Sequence, residues 1–470
     1  MSSTTTVLPL RNIPGSYGLP LLGSIKDRLD YFWFQGSDSF FRTRKLKYKS
    51  TVFRTNMPPS FPFFFDVNPK VVVLTDSKSF ATLFDISTVE KKDVLVGDYM
   101  PSVNYTGKMR VLAYLDPSEP KHSLVKNFAI DVLKSSSKVW VSELFSNLDT
   151  MWSTIESDIS NNGSSIFLVP LQKCLFRFLT KSLIGADPAA RPEIGDGGFA
   201  LLDKWLALQL LPTISIGVLQ PLEEIFLHSF QYPFALVSGD YKKLYQFVEA
   251  EGKEVVEKGR KDYNLTTEEV IHNLLFILGF NAFGGFTIFL PKLISTIGGD
   301  KTGLQAKLRE EVRKNKEPLG FDALRSLELV QSTVYEVLRL NPPVALQYAR
   351  ARKDFVLSSH DSAYEIRKGE LLCGYQPLAM RDEMVFDRPD EFVPDRFTGE
   401  KGRKLLDYLF WSNGPQTATP GSSNKQCAAK DYVVATASLL VAWIFTRYDE
   451  FKCDDSSSAI TSVVKAGEGK

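Results

Sequence analysis

The stretch NLLFILGFNAFGGFTIFLPKLI, Asn273 to Ile294, restricts the fold of this 470-residue chain more than any other segment. It is long enough to cross a bilayer, which takes about 20 apolar residues. Asn281, the pair Gly284–Gly285 and Pro291 interrupt it, however. A helix apolar on all sides is also what the centre of a large globular protein needs, and a buried central helix is the reading that fits these interruptions. The two glycines weaken such a helix by about 1 kcal/mol each. That cost makes sense where something flat and bulky approaches the backbone.

A core large enough to bury this helix is available, since 44% of the residues are apolar and 34 are Phe. Length alone allows two or three domains. The breaks at ISNNGSS, GADPAARPEIGDGG and GGDKTG nevertheless read as loops between helices, because apolar periodicity resumes on both sides without a charged linker. One unit over residues 1–470 is expected, with a short flexible N-terminus and a polar, frayed tail from DDSSSAI onward. STVFRTN, PKVVVLTD, KDFVLSS and AYEIRKGELL read as strands and most of the remainder as helix. The fold class is therefore mainly α with small β-sheets.

Charge excludes one class of partner. Lys plus Arg total 56 against 55 for Asp plus Glu, a balance with no nucleic-acid footprint. The four cysteines, Cys174, Cys373, Cys427 and Cys453, are too scattered for a disulfide framework or zinc cluster, so a reducing compartment is expected. The start, MSSTTTVLPLRNIPGSYG, holds no apolar run long enough for a signal peptide or anchor. Its Ser/Thr content and Arg11 have the character of a very short plastid transit peptide, with a cytoplasmic location as the alternative. Peripheral contact with a membrane is compatible with all of this.

Chemistry concentrates in WSNGPQTATPGSSNKQCAAKD, Trp411 to Asp431. Turn-forming residues precede Cys427, and Val433, Ala437, Leu440, Val441 and Ile444 follow at helical spacing. Cys427 thus stands near a helix N-terminus, where the helix dipole favours a thiolate. Such a thiolate serves as a nucleophile, a metal ligand or a haem ligand, and a buried inert thiol is the plain alternative. Upstream, LRSLELVQSTVYEVLRLNPP is a helix stopped by Pro342 and Pro343, with Glu336 and Arg339 one turn apart on one face. Exposed, that pair is worth little. Buried, with Arg396 of FVPDRF adding a second guanidinium, it becomes a structural brace.

Taken together these residues resemble the cytochrome P450 superfamily: Glu336–Arg339 its E-x-x-R pair, PDRF its P-E-R-F-like element, and Cys427 its haem-ligating cysteine. The cysteine loop departs from the usual F-x-x-G-x-R-x-C. Trp411 and Gly414 supply its first half, PQTATPGSS is inserted, and Lys425 replaces the customary Arg. The central helix departs too. Thr287 is present, but no Asp or Glu lies between Asn281 and Leu290 to deliver protons to dioxygen.

Insert, missing acid and FNAFGG resemble the plant branch that acts on fatty-acid hydroperoxides, as do IPGSYGLPLLGSIKDRLDYFWFQG, KYKSTVFRTNMPP, YLDPSEPKH, GYQPLAMRD and NKQCAAKD. Within it, DYFWFQG, FPFF, ARARKDF, CAAKD and Leu95 (where allene oxide synthases usually place Phe) lean toward the 13-hydroperoxide lyases. The resemblance implies a haem b cofactor with Cys427 as axial ligand. It implies cleavage of a C18 13-hydroperoxide through a hemiacetal into a C6 aldehyde and a C12 oxo-acid, a step of oxylipin biosynthesis that uses neither dioxygen nor a reductase partner. Asn281 is then the candidate for holding the hydroperoxide. Leu95, Phe280, Phe283, Gly285 and Val344 are expected around the substrate, and Lys121, His122, Lys126 and Lys425 beside the haem carboxylates. An allene oxide or divinyl ether synthase of the same branch is the nearest alternative. A reductase-dependent monooxygenase, or a non-catalytic haem- or lipid-binding protein, is the alternative from another class.

Overall fold

In the computed structural model, which describes residues 8–60, 64–215, 217, 220, 222–454 and 459–467, the apolar stretch lies within one rod from Thr267 to Gly298. Its start is fixed by a capping box: the Thr266 hydroxyl accepts from the Glu269 N–H, and the Glu269 carboxylate accepts from the Thr266 N–H. The rod is long and apolar enough to cross a membrane, yet Leu274, Phe276, Phe283, Phe289, Leu293 and Ile297 are all buried in the main core. Its middle, Ile277–Phe283, widens into a π-helical turn. Such insertions recur at functional sites, because they rotate the side chains that follow.

The two glycines after that turn do different things. A β-carbon on Gly284 would come within 2.7 Å of Leu206, so this glycine lets a neighbouring helix in. Gly285 faces open space instead. The expected close approach of a flat partner therefore concerns Gly285 alone.

Three further helices bear on the site. Pro120–Asn162 begins with a proline at its first position and ends at Gly163 in the left-handed region (φ 77). Glu328–Leu340 carries Glu336 and Arg339. Lys430–Arg447 is buried on nearly every side, with Trp140 Nε1 of the first helix donating to its Thr436 hydroxyl at 2.9 Å.

A five-stranded sheet, Val52–Asn56, Lys70–Leu74, Leu371–Tyr375, Leu346–Ala351 and Val89–Glu90 in spatial order, stands to one side. Two three-stranded sheets complete the β-structure of the described residues. Two expectations change here. AYEIRKGELL is not one strand: a turn at Gly369 (φ 86) separates Ala363–Ile366 from Leu371–Tyr375, and these join different sheets. The polar tail is not frayed throughout, because Ala459–Lys465 pairs antiparallel with Tyr448–Asp454 and seals that edge with Ser165–Ile166. Residues 1–7, most of FPFF, and residues 455–458 and 468–470 lie outside the described residues.

Candidate active site

Cys427 lies on the return limb of a stapled loop. Asn413 adopts a left-handed backbone (φ 61), and Trp411 and Gly414 bridge. The limbs are tied by Asn413 Nδ2 donating to Lys425 O at 3.0 Å, the Cys427 N–H to Ser412 O at 2.8 Å and Gln426 Nε2 to Ser412 Oγ at 3.1 Å. The inserted residues bulge outward, anchored where Trp411 Nε1 donates to Gln416 Oε1 at 3.0 Å and Lys430 Nζ to Gln416 O at 2.6 Å. Cys427 itself is half-buried, and the helix Lys430–Arg447 starts just beyond it. Burial raises the thiol pKa above its ordinary value. Lys126, the Ala429 N–H aimed at the sulfur and Lys430 oppose that rise.

Four basic side chains converge on this loop. Lys91 Nζ donates to Asn413 Oδ1 at 3.0 Å and Lys126 Nζ to the Gln426 carbonyl. Lys425 Nζ donates to the carbonyls of Leu112, Ala113 and Leu115 at 2.9, 3.1 and 2.8 Å. His122 Nδ1 lies 3.1 Å from Ser422 O, while its Nε2 is buried without a partner. Burial depresses all four: Lys91 and Lys425 to about 7, Lys126 to about 8 and His122 to about 4. None of the four sits in an ion pair among the described residues. Leu112 also ties this cluster to the central rod, its N–H donating to Asn273 Oδ1 at 3.0 Å.

Lys91 carries no motif and was missed in the sequence. Only its neighbour Asp116, which accepts from the Lys91 N–H, marks the place where it folds in. Lys121 is a correction: its ammonium pairs with Glu269 at 2.5 Å and is 42% exposed, outside the cluster formed by His122 and Lys126. The helix explains the difference, since adjacent residues point about 100° apart whereas i and i+4 share a face.

Along the rod, Asn281 is exposed, Gly285 faces open space and Ile288 is 54% exposed. At i, i+4 and i+7 these three make one open stripe on a helix whose other large apolar side chains are mostly buried. Ile288 is the member that the spacing from Asn281 offered and that sequence reasoning passed over. Phe280 borders the stripe and stacks on Phe276 (centroids 4.6 Å). Phe283 is a second correction. Two residues past Asn281 it points to the opposite side, and it is fully buried in the core. Leu95 is half-buried against the main core, and Val344 is 54% exposed in the loop after Pro343. The Thr287 hydroxyl is turned back on its own helix, donating to Gly284 O at 3.0 Å.

Behind the site, Glu336 and Arg339 are both fully buried and joined by two bonds of 2.7 and 2.8 Å. Arg396 Nε adds contacts of 3.0 and 3.1 Å, and the Val393 N–H one of 2.9 Å. Arg339 spends its remaining donors on the carbonyls of Met380, Pro389 and Glu391.

The fold has a counterpart among solved structures. It superimposes on a retinoic acid bound cyanobacterial CYP120A1 with a TM-score of 0.66, covering 98% of this chain and all of that one at 17% identity, which shows the fold alone. The cytochrome P450 family model matches residues 300–417. Over 98% of this chain and 97% of the relative, the sequence is 62% identical to the fatty acid hydroperoxide lyase, chloroplastic, of Solanum lycopersicum. It is 57% identical to the linolenate hydroperoxide lyase, chloroplastic, of Arabidopsis thaliana, over 99% and 95%. The allene oxide synthase, chloroplastic, of Linum usitatissimum is 45% identical over 98% and 86%. This chain belongs to the cytochrome P450 family, in the branch of the fatty acid hydroperoxide lyases.

Haem with thiolate-ligated iron is the cofactor of that family, and the residues present fit it. A half-buried thiol beside desolvated ammonium groups and an orphaned imidazole nitrogen suits a group that offers a metal to sulfur and carboxylates to cations.

Proposed function

We propose that this chain is a hydroperoxide lyase for the 13-hydroperoxides of C18 polyunsaturated fatty acids, built as one catalytic domain. The observation that carries the reading is the open stripe of the central rod, where one neutral amide, Asn281, opens a run to Leu290 that holds no Asp or Glu. Similarity to hydroperoxide lyases above that to an allene oxide synthase supports the product type.

In this reading Cys427 holds haem by its thiolate, while Lys91, His122, Lys126 and Lys425 receive its carboxylates. Haem so held supplies homolytic cleavage of a weak O–O bond, because the thiolate pushes electron density toward it. The chain's own residues govern the rest. Asn281 orients the hydroperoxide through its side-chain amide, and no proton donor is supplied because the net change is an isomerisation. Phe280, Gly285 and Ile288 keep water from the reacting carbons. Leu95 offers only aliphatic contact to the carbon radical of the substrate, so no aromatic face favours its oxidation to a cation. Rearrangement to a hemiacetal, which falls apart into a C6 aldehyde and a C12 oxo-acid, balances without reductant or dioxygen.

Plastid location and peripheral membrane contact belong to the same proposal. The relatives are named chloroplastic, and an apolar outer face supports contact with a bilayer. Leu19, Leu22, Phe34, Ile225, Phe226 and Phe230 are all exposed. Their two segments are tied by the Arg28–Glu224 pair at 2.9 Å and by Phe32 stacked on His228 at 3.7 Å.

The deciding assay incubates haem-loaded protein with linolenic acid 13-hydroperoxide, without an electron donor and under anaerobic conditions. C6 aldehyde and C12 oxo-acid are expected as main products. Ketols as main products would make it an allene oxide synthase, and a requirement for reductant would end the proposal. Asn281→Ala should lower kcat/KM by about 10²–10³-fold, as loss of one oriented donor does elsewhere. Leu95→Phe should raise the share of ketols.

A further inference from the structure

We propose that a groove on the outside of the molecule, away from the open stripe, binds a second long-chain carboxylate that is not turned over. The groove has a volume of about 340 Å³ and lies between residues 104–108, the helix Ser238–Glu251 and the first turns of the central rod. A groove of this size holds much of one alkyl chain. Its walls are Phe234, Tyr241 and Tyr245, and Lys108 and Lys242 stand at its rim.

Its floor is sealed. A β-carbon on Gly107 would fall 2.0 Å from His272 Nε2, so the loop rests directly on the rod. Tyr241 Oη lies 2.6 Å from His272 Nδ1, with the two rings stacked at 5.7 Å. None of the residues that line the groove belongs to the open stripe of Asn281, Gly285 and Ile288.

Charge selects the ligand. Lys108 and Lys242 are exposed and sit in no ion pair among the described residues. Glu249 and Glu268 are the acids whose field reaches Tyr245, so an alkyl tail rather than an anionic head belongs at that end. One wall continues into the apolar outer face: Phe234 belongs to the turn Phe234–Leu236, whose Leu236 is exposed, and Tyr105 Oη donates to Tyr232 O at 3.0 Å just before it. A single-chain amphiphile leaving a bilayer would meet two lysines and three aromatic rings in one groove. That combination fits an unesterified fatty acid. Only the choice of acyl ligand rests on the lyase reading.

The test titrates the haem-loaded protein with oleic acid below its critical micelle concentration, by calorimetry and by absorbance together. Oleate carries no peroxide, so nothing is consumed, and the Soret band reports the interior site. The expected result is one equivalent of oleate that leaves the Soret band unmoved. It should bind about tenfold or more weakly in Lys108→Glu/Lys242→Glu, where two favourable charges become repulsive, and oleyl alcohol should imitate that loss in the wild type. Tyr245→Ala, which keeps both lysines, gives an independent variant with the same expectation. The proposal fails if every bound equivalent moves the Soret band, or if the variants keep the silent one. It fails too if they lose only adhesion to anionic phospholipid vesicles, which would make the lysines a headgroup contact. Aldehyde formation from a hydroperoxide is measured separately, so loss of the lyase reading and loss of the groove are distinct results.

Discussion

Two buried sets of charges in this chain are finished to different degrees. In the set around Glu336, Arg339 and Arg396, each guanidinium and each carboxylate oxygen meets a partner within the chain. In the set around Lys91, His122, Lys126 and Lys425, cations meet only carbonyls, amides and one another. Burial is similar, so burial alone separates nothing. What separates them is whether the chain supplies the counter-charge. A complete set fixes geometry, whereas a set of one sign is a receptor for something of the other sign.

Breaking the complete set should cost most. Glu336→Ala leaves two guanidinium groups buried without their carboxylate, a loss of about 3–5 kcal/mol. The expected outcome is low recovery of folded protein, a large fall in Tm and little haem, rather than a folded enzyme with reduced turnover. Thermal melts and the haem-to-protein ratio of the purified variant decide it. A variant that melts with the wild type and holds full haem would show that the brace carries no load.

The incomplete set should respond with opposite signs in the two forms of the protein. Burial holds the Lys91 ammonium at about 7, and the field of Asp116 offsets only part of that cost. Lys91→Met removes a desolvated charge, so the haem-free chain should gain about 1–3 kcal/mol, as replacement of buried ions by apolar side chains often does. The haem-loaded form should instead release its cofactor faster, because one cation facing a carboxylate is gone. The pH dependence follows from the same group. Its pKa is lowered on folding, so the folded state loses stability to this charge below about 7, and the loss is relieved as pH rises from about 7 toward the ordinary lysine value. The gain of the haem-free chain on Lys91→Met should therefore be largest below about pH 7 and shrink as pH rises toward the ordinary lysine value. Equal shifts in both forms would mean that Lys91 is merely structural.

The contrast also explains what was readable in the sequence. The complete set is local at its heart: Glu336 and Arg339 are one turn apart on a strongly periodic helix, and Arg396 follows in a recognisable element. The cysteine loop was readable because turn residues cluster before an apolar helix. The cation set is assembled from residues 91, 122, 126 and 425, of which the i, i+4 pair His122–Lys126 and Lys425, two residues before the cysteine, carry a local signal. Lys91 depends on tertiary folding, and Lys121 was misplaced because its neighbours were read without the helix angle between them. Phe283 failed for the same reason, a side chain assigned by proximity in sequence to Asn281. The strand Ala459–Lys465 escaped because its polar, serine-rich surroundings hide a pairing that only Tyr448–Asp454 creates.

The smallest effect is expected at Asp116, beside the incomplete set. This carboxylate is almost wholly buried. Burial opposes its ionisation, but the Ser118 hydroxyl, the N–H groups of Lys91 and Ser118, and Arg352 outweigh it and hold the carboxyl at about 2. A carboxyl depressed on folding stabilises the native state above its unfolded value near 4, and that contribution fades as pH falls toward 2. Asp116→Asn should therefore lower stability at pH 7 by about 1–2 kcal/mol once solvent screening is allowed for, and the gap should close on acidification through that window. The field of Asp116 also reaches Lys91, His122 and Lys425, where it partly offsets their charge. Removing it leaves those cations freer to attract an anionic group, so haem should be held at least as tightly by a chain that melts earlier. Stability and cofactor retention would then move apart in one substitution, as they do with opposite signs at Lys91. A stability gap that stays constant from pH 7 to pH 2 would show that the Asp116 charge contributes nothing, and loss of haem in step with Tm would merge the two sets into one.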